Sequence, residues 1–179
     1  MFRINYQITN SPEELKSLSK KELDRCYIEG NIEIAVNDKK YGYCKKEALA
    51  PGETGFDLLT DWFEELVNAL LKLKQNHKYV AVYAIDTYAT WIEFKRLNDE
   101  HVSIGIIEYK APDGTDLVIT AAPHTATPSD WVNEIITYDE LQSEILFKVN
   151  QYINELGMIK KSFITGKALI QLKRIADST

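Results

Sequence analysis

Between residues 78 and 122, four runs rich in β-branched and aromatic residues follow one another across short polar gaps: "KYVAVYAI", "TYATWIEFKRL", "HVSIGIIEYK" and "DLVITAA". Parallel neighbours need a crossover of a dozen or more residues, and these gaps leave no room for one. The runs are therefore expected to form an antiparallel meander, with the Asp-Gly pair of "APDGTD" closing a hairpin between the third and the fourth. A fifth run, "WVNEIIT", is expected to add an edge strand.

Helical patterns flank this block. "FDLLTDWFEELVNALLKLKQN" places Leu59, Trp62, Phe63, Leu66, Leu70 and Leu73 on one stripe, with Asp57 expected to cap its first amides. "TYDELQSEILFKVNQYINELG" opens on Thr137 and Glu140 as a capping box, carries Leu141, Ile145, Val149, Tyr152 and Leu156 on one face, and is expected to stop at Gly157. A third helix is expected in "KALIQLKRIAD", where Leu169, Leu172 and Ile175 share a stripe. Upstream, "FRINYQIT" alternates like a half-buried strand, and Ser11, Pro12 and Glu14 start a short helix. "NIEIAVNDKKYGYC" reads as a hairpin and "PGETG" as a loop. The fold class is α+β: an antiparallel meander sheet packed by two to three amphipathic helices, in a single domain over residues 1–179.

Charge narrows the partners. A formal net charge of -6 disfavours nucleic acid and anionic membrane as principal partners. Residues 111–147 contain no Lys or Arg, but carry Asp113, Asp116, Asp130, Glu134, Asp139, Glu140 and Glu144. Such a stretch would attract a basic protein. The start "MFRINYQITN" has no signal-like apolar segment and no run is long enough to span a bilayer, so the expected location is cytoplasmic and Cys26 and Cys44 are expected to be reduced thiols.

Chemical motifs are sparse. Asp86 and Glu93 lie in "AIDTYATWIEFKR", yet strand parity puts them on opposite faces, which an acid-base pair cannot use without a bend. His77, His101 and His124 are scattered, neither Cys belongs to a Cys-x-x-Cys pair, and no phosphate loop or nucleophile motif is present. No catalytic residue, metal or cofactor is expected. The same parity gathers Tyr83, Trp91, Glu93 and Tyr109 on the outward side of the sheet. Two readings of that side stand: an aromatic and acidic surface for a partner, or core under the second or third helix. On the first reading the partner-binding residues are Tyr83, Trp91, Glu93, Tyr109, Asp130, Glu134 and Asp139. The alternative function is a small enzyme or ligand-binding domain, with a pocket between sheet and helices that uses Asp86, Glu93 or His101.

The order of a short N-terminal strand, the hairpin near "IEIAVNDKKYGYC", the helix "FDLLTDWFEELVNALLKL" and then "VAVYAIDTYATWIEFKRLNDEHVSIGII" resembles small acidic bacterial immunity proteins of polymorphic toxin systems. The likeness spans about the first two-thirds of the chain and carries over no individual site residue. It implies a non-enzymatic cytoplasmic protein that holds a basic toxin domain inactive.

Overall fold

A computed structural model describes residues 1–44, 57–85, 87–129 and 131–179. In chain order, β1 (Phe2–Ile8) leads through α1 (Pro12–Ser17) and α2 (Lys20–Arg25) to β2 (Glu29–Val36), β3 (Lys39–Gly42) and the two-residue β4 (Asp57–Leu58). Next come α3 (Leu59–Lys74), β5 (Tyr79–Tyr83), β6 (Thr90–Arg96), β7 (His101–Glu108) and the two-residue pairings β8 (Val118–Ile119) and β9 (Thr127–Pro128). β10 (Glu134–Thr137), α4 (Tyr138–Ile159), a 3-10 turn (Lys161–Thr165) and α5 (Lys167–Ala176) follow. Helices packed on antiparallel sheets make this an α+β fold.

Local chemistry starts most elements. Ser11 and Glu14 form a reciprocal capping box at α1, and Thr137 and Glu140 form one at α4. Ser19 and Glu22 do the same at α2, a helix missing from the expected elements although its Ser and Glu carry the same spacing signal. At α3 the cap differs from expectation. Asp57 lies in β4 and accepts hydrogen bonds from Trp62 Nε1 at 3.0 Å and Ile32 N at 3.2 Å, so it ties the helix to β2 while Leu58 takes the cap position without a side-chain bond. α4 likewise runs past Gly157, whose missing side chain lets Ile164 approach: a Cβ there would lie 3.0 Å from Ile164 Cγ2. That glycine serves packing instead of capping.

Two sheets result. The first has the order β1-β2-β3, with β4 also paired to β2, and the second has the order β10-β7-β6-β5-β8, with β9 on the same edge of β7 as β10. β5, β6 and β7 form the expected meander, and β10 is the expected edge strand. The fourth run departs from expectation: Val118 and Ile119 pair with β5, at the far side of the sheet from β7. The Asp-Gly turn exists, with Gly114 at φ 81°, but it does not close a hairpin onto β7. Instead residues 110–129 form a strap that leaves β7, pairs with β5, and returns to β7 as β9.

One core joins both sheets. Leu59, Trp62, Phe63, Leu66, Leu70 and Leu73 of α3 pack with Ile4 and Ile34 of the first sheet and Val80, Ile92, Phe94 and Ile104 of the second. Leu141, Ile145, Val149, Tyr152 and Leu156 of α4 and Leu169 and Leu172 of α5 complete it. α4 also closes the free edge of β1, since Glu144 Oε1 accepts from Ile4 N at 2.9 Å and Glu155 Oε2 accepts from the Tyr6 hydroxyl at 2.9 Å. Cys26 is a buried thiol and Cys44 a half-buried one. Among the described residues no helix is long and apolar enough to cross a membrane.

Candidate functional site

The aromatic side chains singled out by parity do converge. Tyr83 and Trp91 face each other across β5 and β6 with ring centroids 5.1 Å apart, and Tyr109 lies 6.0 Å from Trp91. Trp91 Nε1 donates to the Tyr109 carbonyl at 2.9 Å. With Ala81 and Ile107 they form a second, smaller core on the outer side of the sheet. No helix covers it. Ala111, Ile119 and Ala126 of the strap do, leaving Trp91 only 1% exposed. Trp91 is thus core in the free protein, and the cover is a strap where a helix had been one of the two expectations.

A crevice of about 270 Å³ remains above this cluster, at the end of the sheet where β5 turns into β6. Tyr83 and Trp91 line its floor, and the strap residues Lys110, Asp113 and Leu117 line its wall. Its rim is set by local bonds. The Tyr83 hydroxyl donates to the Thr87 carbonyl, Thr87 Oγ1 donates to the Ala84 carbonyl at 2.6 Å, and Tyr109 N donates to the Ala89 carbonyl at 2.7 Å. Held between them, Tyr88 points out and is 77% exposed, with Lys110 Nζ 5.0 Å from its ring centroid. Leu117 is 41% exposed on the opposite wall. Asp113, Asp116 and Glu108 are exposed nearby in sequence and strand register. Tyr88, Lys110 and Leu117 were absent from the expected binding set. Exposure of an aromatic cannot be read from parity when the residue sits in a turn.

Glu93 lies deeper on the same face. It is 6% exposed, its carboxylate contacts the Lys95 ammonium, and it rests over Gly105, where a Cβ would come within 3.2 Å of Glu93 Oε1. Burial and then the Glu93 charge push the Tyr79 hydroxyl upward in pKa. His101 shares this face but pairs in register with Thr137, four residues along β7 from the Gly105 that faces Glu93, about 13 Å at strand rise. The structure therefore does not bring Glu93 and His101 together. Asp86 and Asp130 lie outside the described residues. Among the described residues no group of three or more His, Cys, Asp or Glu side chains is placed to hold a metal ion.

The acidic residues divide by position. Glu134, opposite Ile104 midway along β7, accepts from Asn37 Nδ2 at 2.8 Å, and Asp139 is exposed in the first turn of α4, just after the Thr137 that pairs with His101. Trp91 pairs with Ile107, three residues from Ile104, or about 10 Å, and six from His101, or about 20 Å. The strap carries its own acids. On its side toward α3, Glu65, Asn68 and Lys72 face Asp116 and Val118 across a second crevice of about 610 Å³ that shares Thr115 and Leu117 with the first. Burial raises Glu65 to about 7, helped by the charges of Glu64, Asp61 and Asp116 and opposed by its hydrogen bond from Asn68. Comparison with protein-family models, curated proteins and solved structures finds no match for this chain.

Proposed function

We propose that this chain is a non-enzymatic protein-binding module that takes a basic partner at the aromatic crevice, acting as an immunity-type inhibitor of that partner. The observation that carries this reading is the pairing of an exposed Tyr88 and Leu117 across a crevice floored by Tyr83 and Trp91, with Asp113 in its wall. Aromatic side chains give large contact area at low entropic cost, and a partly apolar cleft takes an anchoring side chain. The exposed carboxylates around it favour a partner whose anchor is flanked by Lys or Arg. The cluster beneath is tied by the Trp91 indole bond and by the strap, so the floor is preorganised and little ordering is needed on docking.

The partner is sought among basic proteins encoded beside this chain. Expressed alone it should arrest growth, and co-expression of this chain should relieve the arrest. Tyr88→Ala should leave the melting temperature unchanged while accelerating dissociation of the complex about tenfold or more, as loss of an interface aromatic does. A Tyr88→Ala protein that neutralises and dissociates like the wild type would remove the crevice from the interface. Neighbouring proteins that neither bind nor arrest growth would remove the inhibitor reading.

A further inference from the structure

A further concavity lies away from the aromatic crevice, on the outer face of the first sheet. It is a groove of about 630 Å³ bounded by β1, β2, β3 and one side of α4. Strand parity builds its floor. The even-numbered residues Phe2 and Ile4 of β1 enter the core, so Arg3, Asn5 and Gln7 face the groove, and Glu33 and Ala35 do the same from β2. α4 contributes Lys148 and Gln151 from the helix side not committed to the core.

The charge of this groove runs against that of the protein. Its carboxylate, Glu33, accepts from Asn5 Nδ2 at 2.9 Å and from Lys40 Nζ at 3.2 Å, so one cation is already matched. Arg3 is exposed and makes no ion pair among the described residues. Lys148 reaches the Gln151 side-chain oxygen at 3.4 Å and the Phe147 ring at 5.5 Å, and neither neutralises it. A guanidinium and an ammonium with no ion-pair partner among the described residues therefore share one groove of a chain with net charge -6, beside the side-chain amides of Gln7 and Gln151, while the nearby Glu144 and Glu155 are engaged by Ile4 N and the Tyr6 hydroxyl. Ala35, in register with Arg3, adds little side-chain height to the floor on the β2 side.

We infer that this groove binds a small anionic ligand, its phosphate or carboxylate held between Arg3 and Lys148 and its polar body hydrogen-bonded by Gln7 and Gln151. Arg presents a planar fork that fits either oxyanion with two parallel hydrogen bonds, and Lys adds a point charge. The volume suits a small molecule rather than a bare ion. This site is independent of the aromatic crevice and stands or falls without it.

Calorimetric titration at low ionic strength with inorganic phosphate, AMP and citrate tests the inference. At least one should bind saturably at one site per chain. Tightest binding by citrate would assign a polycarboxylate, and by AMP a phosphomonoester with an attached body. Arg3→Ala and Lys148→Ala should each weaken that binding about tenfold or more, while Lys21→Ala, outside the groove, leaves it unchanged. All three residues are solvent-accessible, so melting temperatures should match the wild type and separate lost binding from lost fold. Saturation by none of the three probes, or equal affinity in the Arg3, Lys148 and Lys21 variants, would overturn the site.

Discussion

Glu65 shows how one side chain can report on the strap. Its folded pKa, near 7, lies above the ordinary 4.5, so the folded state holds this proton more tightly than the unfolded state. Stability from this group is full below about 4.5 and falls as pH rises through 7, where the ionised carboxylate faces Asp116, Asp61 and Glu64. Because the side chain is partly solvated, the screened effect is on the order of 1 kcal/mol. Urea unfolding should find Glu65→Gln equal to wild type near pH 4 and more stable at pH 8; a constant difference across that range would refute the assignment. A second residue-scale case is buried. Thr60 Oγ1 donates to the Cys26 carbonyl at 2.7 Å and lies 2.7 Å from the Tyr152 hydroxyl, which must then donate to Thr60. Thr60→Val keeps the shape but strands both partners in the core. The expected cost is about 2 kcal/mol or more in chemical denaturation.

At the scale of elements, two glycines separate packing from backbone demand. Gly157 sits inside α4, and its neighbour Ile164 is half exposed and free to yield. Gly157→Ala should therefore gain about 0.5–1 kcal/mol from helix propensity, read as a higher denaturation midpoint. Gly30 is the opposite case. A Cβ there would meet Leu59 Cδ1 at 2.3 Å and the Gln7 carbonyl oxygen at 2.5 Å, and the backbone of β1 cannot retreat without breaking its pairing with β2. Gly30→Ala should cost about 1–3 kcal/mol in the same measurement. Equal effects of the two substitutions would show that the contact between β2 and α3 is looser than these distances imply.

Across the whole molecule, charge is laid out in separate regions that sequence order conceals. The described acids of residues 111–147 fall partly on the strap, near the aromatic crevice, partly on β10, where Glu134 lies about 10 Å away along β7, and partly at the start of α4, about 20 Å away. A partner seated at the crevice should feel the near group more, because screening extends only about 10 Å at ordinary salt. Asp113→Lys should therefore slow association with the basic partner several-fold at low salt, and Asp139→Lys should slow it less, with the gap closing as salt is added. Stopped-flow association rates check this. A larger effect at Asp139 would move the docking face to the start of α4.

The hydrophobic period determined β1, the hairpin, the β5 to β7 meander and the stripes of α3, α4 and α5, because each is a local pattern in which neighbours along the chain share one face. Parity also placed Tyr83, Trp91 and Tyr109 together, since they alternate across strands that pair in register. What lies opposite a residue is not local, and there the tertiary structure decided. It turned the fourth run into a strap that buries Trp91, drew Asp57 to Trp62 and Ile32, and carried α4 through Gly157 onto the following turn. It also brought Arg3 of the first strand and Lys148 of the fourth helix into one groove. These residues are remote in sequence, and only the packing of β1 beside α4 makes them neighbours.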